Sequence, residues 1–115
     1  MANTFKLKTD TNVTTSSGMS SVYTVPSSTT AVVIGCTLAN TGAAAITADV
    51  KVTTNASSGE NGDDVYIIKG APIATGGALE VMSGNKIVLQ TADVLKVKSS
   101  ASSSLDVAVS VMEIT

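Results

Sequence analysis

The chain has 115 residues, room for one domain around one core, and 43% of them are hydrophobic. All seven cations are Lys, set against nine carboxylates for a net charge of −2, so the Arg-rich basic footprint of a nucleic-acid binder is missing. Histidine is absent and Cys36 is the single cysteine, which rules out Ser-His-Asp and Cys-His catalysis, an internal disulfide and a cysteine-built zinc site within one chain.

In chain order, the first predicted strand covers residues 4–8, where Phe5 and Leu7 alternate with Thr4, Lys6 and Lys8. Its apolar side is expected in the core. Residues 10–21 follow, a polar run with Val13 and Met19 as its only anchors. Their composition suits an arm ordered by a neighbouring chain. The organisation expected is therefore a strand and arm over 1–21 and a β-sandwich over 22–115. A strand at 22–25 ends at Pro26-Ser27-Ser28. In the apolar run 31–39, Val32, Ile34, Cys36 and Leu38 are expected on one face, with Val33, Gly35, Thr37 and Ala39 opposite. Apolar or small residues on both faces mark a central strand, and Gly35 leaves room for a bulge. Cys36 reads as a small buried hydrophobe.

Ile46, Ala48, Val50 and Val52 alternate with Thr47, Asp49, Lys51 and Thr53, a strand with one wet side. Residues 55–62 form a polar loop, and shorter strands are predicted at 65–69, 78–82, 86–90 and 94–99. Ser83-Gly84-Asn85 fits a tight hairpin between the strands at 78–82 and 86–90. The last strand places Leu105, Val107, Val109 and Val111 on one side and Asp106, Ala108, Ser110 and Met112 on the other. No segment carries the i, i+3, i+4, i+7 pattern of an amphipathic helix. About nine short strands imply an all-β fold: a two-sheet antiparallel sandwich, as a jelly roll or another Greek-key type.

Chemistry is sparse. The acidic run Glu60-Asn61-Gly62-Asp63-Asp64 lacks the alternating spacing of a calcium loop and reads as a solvated turn. Gly76-Gly77 opens a strand rather than a helix, so it is no phosphate cradle. The sequons at Asn12 and Asn55 are matches expected in a Ser/Thr-rich chain. Tyr23 and Tyr66 are expected to bury their rings with the hydroxyl at a sheet rim, which leaves no aromatic platform for sugars. No catalytic, metal or cofactor residue is assigned, and no enzyme activity is expected. The first residues lack the apolar segment of a signal peptide and no run is long enough to span a membrane, so synthesis in a cytoplasm is expected.

The segments V-Y-T-V-P at 22–26, A-V-V-I-G-C-T-L-A-N at 31–40 and V-Y-I-I-K-G-A-P-I at 65–73 together resemble small virion structural proteins of tailed bacteriophages. The runs G-A-L-E-V at 77–81, G-N-K-I-V-L at 84–89, D-V-L-K-V at 93–97 and L-D-V at 105–107 extend the likeness, which is strongest to phages of marine cyanobacteria. This resemblance implies a non-enzymatic component of the virion, a capsid decoration protein that binds other virion proteins, or alternatively a neck, tail or fibre component with a receptor- or glycan-binding role. It carries over no functional residue. Because a small sandwich leaves strand edges to be covered, a homo-oligomer is expected, a trimer being one arrangement. Neither nucleic acid nor membrane is expected as a partner.

Overall fold

A computed structural model describes residues 3–11, 13–55 and 62–115. Glu60 and Asn61 of the acidic run, Asn12, and residues 56–61 of the polar loop lie outside the described residues. Nine strands form among the described ones: β1 (Asn3–Asp10), β2 (Ser20–Thr24), β3 (Thr30–Asn40), β4 (Ile46–Thr53), β5 (Val65–Ile73), β6 (Ala78–Glu80), β7 (Ile87–Leu89), β8 (Val94–Ser99) and β9 (Leu105–Ile114). They make two antiparallel sheets. Sheet A runs β1-β9-β3 and then β6 and β7, which both pair with β3; sheet B runs β2-β8-β4-β5. Counting β6 and β7 as one interrupted strand gives two four-stranded sheets between which the chain repeatedly crosses, the jelly-roll arrangement.

The core lies between the sheets and is built by the period-two alternation. β9 contributes Leu105, Val107, Val109 and Val111, β4 contributes Ile46, Ala48, Val50 and Val52, and β8 contributes Leu95 and Val97, all buried. Each full burial of such a side chain stabilises by roughly 1.5–3 kcal/mol. Branched side chains dominate because their restricted χ1 suits the pleated surface.

β3 departs from the expected facing. Its register against β9 shifts between Val33 and Gly35, so Ile34 is the extra residue of a bulge and the alternation changes parity there. Ala31 and Val33 therefore join Cys36 and Leu38 in the core, while Val32 turns outward and Ile34 is exposed. The bulge falls beside Gly35, where the sequence left room for one.

Ser83 and Gly84 do form a tight turn, with positive φ at both and the Asn85 N–H donating to the Met82 carbonyl. It is not a hairpin. β6 and β7 run in the same direction along β3, and the turn is an excursion between them that drops Met82 into the core.

Within the polar run 10–21, the residues from Val13 to Ser20 contact their own sandwich. Val13 is buried, the Thr14 carbonyl accepts from the Ser99 N–H on β8, and the Thr14 N–H donates to Ser20 Oγ. One apolar anchor and backbone pairing thus join this stretch to β8. At the end of β3, Asn40 is buried and its amide donates to the Ala44 and Ile73 carbonyls while accepting from the Gly42 N–H. Gly42 passes so close to Ser104 that a Cβ there would lie 2.6 Å from Ser104 Oγ.

Candidate functional site

Asp93, Glu80 and Glu113 are occupied in holding the fold together. Asp93 is fully buried in the turn before β8, its two oxygens accepting from the Asn55 and Gln90 N–H groups. Glu80 fills the break in the β3–β6 ladder: Oε2 accepts from the Cys36 and Met82 N–H groups and Oε1 from the Thr37 hydroxyl. Burial works to raise its carboxyl, but these three donors outweigh it and hold the group below its ordinary value. Cys36 sits directly beneath, its thiol pushed up to about 12 by burial and by the nearby Glu80 charge, so it stays protonated and inert.

Glu113 continues the buried side of β9 beyond Val111, where the pattern would place another hydrophobe. Tyr23 donates its hydroxyl to Oε2 at 2.6 Å and Lys6 Nζ lies 2.9 Å from Oε1. The Tyr23 bond first, then Lys6, hold this carboxyl low; burial and the same bond push the tyrosine up. The cluster joins β1, β2 and β9, and neither cavity described below reaches it. It is a clamp. Among the described residues no three His, Cys, Asp or Glu side chains converge as metal ligands, and no helix is long and apolar enough to cross a membrane.

The clamp decides which way β1 faces. With Lys6 turned toward Glu113, Phe5 and Leu7 point away from the sandwich and are 71% and 64% exposed. This corrects the core position expected for Phe5. In register, Phe5 stands beside Met112, Met112 beside Val32 and Val32 beside Val88, which is 55% exposed. An apolar row thus crosses the outer face of sheet A. The paired residues of that face include the carboxylates Asp106 and Glu80 and no lysine. Toward its other end, Thr9, Thr37, Ala39 and Ala108 line a concavity of about 390 Å³.

The outer face of sheet B is different. Lys51 stands beside Lys96, and Asp49 beside Lys98, across β4 and β8. Tyr66 on β5 is 44% exposed with Lys69 Nζ at 4.7 Å and Lys51 Nζ at 5.5 Å from its ring centre, so its ring is not buried as Tyr23 is. A second cavity, about 40 Å³, lies among Thr47, Asp49, Lys98, Ser99 and Ser100 and is too small for a ligand. Among the described residues the two sheets thus present two unlike outer faces. Sequence reasoning missed the apolar one, although Glu113 in the buried alternation signalled that a lysine strand must turn inward beside it.

No protein-family model and no curated protein sequence matches the chain. Solved structures do match it in fold. One, described as Bacillus endospore appendages that form a family of disulfide-linked pili, aligns over 99% of this chain and 87% of its own at 13% identity and a TM-score of 0.52. Another, from the particle of infectious bursal disease virus, aligns over 96% of this chain at 11% identity and a TM-score of 0.55, and this chain spans 30% of that longer one. The VP2 subviral particle of the same virus gives 11% identity and a TM-score of 0.51, covering 96% of this chain and 32% of that one. At these identities the likeness is one of fold: a sandwich shared with viral-particle and pilus proteins.

Proposed function

We propose that the chain is a non-enzymatic structural protein of a virion, a capsid decoration protein of a tailed bacteriophage that binds other virion proteins and copies of itself. The observation that carries this reading is the pairing of a jelly-roll sandwich with a broad outer face that an apolar row crosses and whose outward strand residues include no lysine. The viral-particle structures that share the fold support it. So does the sequence resemblance to small phage virion proteins.

A second reading, a neck, tail or fibre component that touches a receptor or glycan, is favoured by one observation: Tyr66 is exposed between two lysines. A disulfide-linked pilus subunit is not favoured, because Cys36 is fully buried with its thiol held protonated, out of reach of a neighbour. Quantitative mass spectrometry of purified particles from the source of this chain tests the proposal. Decoration predicts copies commensurate with the major shell protein. A few copies per particle would move it to the tail, and absence from the particle would refute the virion reading.

A further inference from the structure

The outer face of sheet A has relief as well as low charge. The row of Phe5, Met112 and Val32 forms a ridge of long or branched side chains. The row of Leu7, Ser110 and Gly35 comes next, and beyond it Thr9, Ala108 and Thr37 floor the concavity. Ridge and hollow are therefore equidistant from the Ser110 row, on the same three strands.

We propose that this face is an isologous interface with a second copy of this chain, the ridge of each copy seated in the hollow of the other. A two-fold axis lying across the strands above Ser110 reverses strand direction and carries one row onto the other. Phe5 then meets Thr9 of the second copy and Met112 meets Ala108, and the reverse contacts follow by symmetry, as a closed pair requires. Two sheets stacked in this way keep the inter-sheet geometry of a sandwich, with spacing of about 10 Å and a crossing near 30°. The match is two-fold, so it argues for a dimer where edge covering alone admitted a trimer.

Size and charge point to the same occupant. β3 and β9 are 11 and 10 residues long; four strands about 4.8 Å apart, rising about 3.3 Å per residue, present roughly 550 Å² in projection. Side-chain relief raises this toward the roughly 800 Å² per partner of a standard interface. Exposed apolar patches of a few hundred Å² mark interaction sites. The ridge has no ionic group and Glu80 already accepts from three donors, so the carboxylates left on this side are Asp10 and Asp106, which line the hollow, and the ridge offers a charged partner nothing to pair with. A second copy brings the same uncharged ridge. This inference stands whether or not the protein belongs to a virion.

Sedimentation equilibrium of the purified full chain from about 1 to 100 μM tests it, a range that spans dissociation constants typical of modest dimers. A reversible dimer is expected. Phe5→Asp in the ridge and Thr9→Arg in the hollow each weaken it by about tenfold or more, while Lys96→Glu on the opposite face leaves it unchanged. Both side chains changed on sheet A are exposed, so far-UV circular dichroism stays that of the parent. Under mild oxidation, a mixture of Phe5→Cys and Thr9→Cys chains forms mixed disulfides faster than either variant links to itself. A monomer at about 100 μM would overturn the proposal and leave the face to a different protein. So would a dimer indifferent to both substitutions, or one in which Phe5→Cys links to itself fastest.

Discussion

The two outer faces of this sandwich are made by the same rule and come out unlike. In both sheets alternate residues point inward, and the residues between them must point out. On sheet B those outward residues include Lys51, Lys96, Lys98 and Asp49, which water solvates readily. On sheet A they include Phe5, Leu7, Met112, Val32 and Val88, with small Thr, Ser and Ala residues and the carboxylates Glu80 and Asp106 but no lysine. Alternation therefore says which side of a strand builds the core, and the composition of the other side says whether that side was left for solvent. A strand face that could have carried lysine without cost to the core, and does not, is a face with another use.

The comparison would break most visibly at the inner side of sheet B. Val50 is fully buried and Lys51 follows it on the opposite side. Val50→Asp places a carboxylate in the core and is expected to destabilise by about 4 kcal/mol or more, enough to unfold a marginal domain. Thermal unfolding checks this, and a loss below about 1 kcal/mol would show that the inner side is misassigned.

An intermediate effect is expected at Glu113, the group that sets the direction of β1. Its carboxyl is held low in the folded protein, so it contributes stability that is present above the ordinary carboxylate value of 4.5 and is lost as pH falls through the lower folded value. Glu80 acts in the same sense. The melting temperature should be flat from neutrality down to about pH 5 and fall below it. Glu113→Gln should cost about 1.5–3 kcal/mol at pH 7, the range for hydrogen bonds to a charged group, and blunt the acid-side decline. A variant whose acid-side slope matches the parent would remove the clamp from the account.

The smallest effect belongs to the wet side. Lys51→Thr should change stability by less than about 0.5 kcal/mol in chemical denaturation, since its head group packs only near the exposed Tyr66 ring. A cost comparable to that of Val50→Asp would erase the distinction between the two sides of β4.

Most of the fold was legible before any coordinates, because strand after strand shows clean alternation between turn residues; Leu105 to Met112 and Ile46 to Thr53 fall where the pattern places them. What alternation could not reveal is parity after a bulge. Ile34 is one extra residue, and it exchanged the sides of Val32 and Val33. Nor could it reveal the use of a turn: Ser83-Gly84 reverses nothing, because β3 is long enough to pair with both flanking strands. The candidate face was hidden for a third reason. β1 alternates apolar residues with lysines, and either side could have turned inward. Only the buried carboxylate of Glu113, ninety positions along the chain from its partner Tyr23, selects the lysine side. Low charge was readable from composition; where that low charge gathers depended on a contact between the chain's two ends.

On assembly the outer face of sheet A is expected to be covered and that of sheet B to stay open to solvent. Hydroxyl-radical footprinting reads both faces at once, because Phe5 and Met112 lie on the first and Tyr66 on the second. Between dilute protein and protein at associating concentration, Phe5 and Met112 are expected to become protected while Tyr66 keeps its reactivity. Protection of Tyr66 with Phe5 and Met112 unchanged would contradict it.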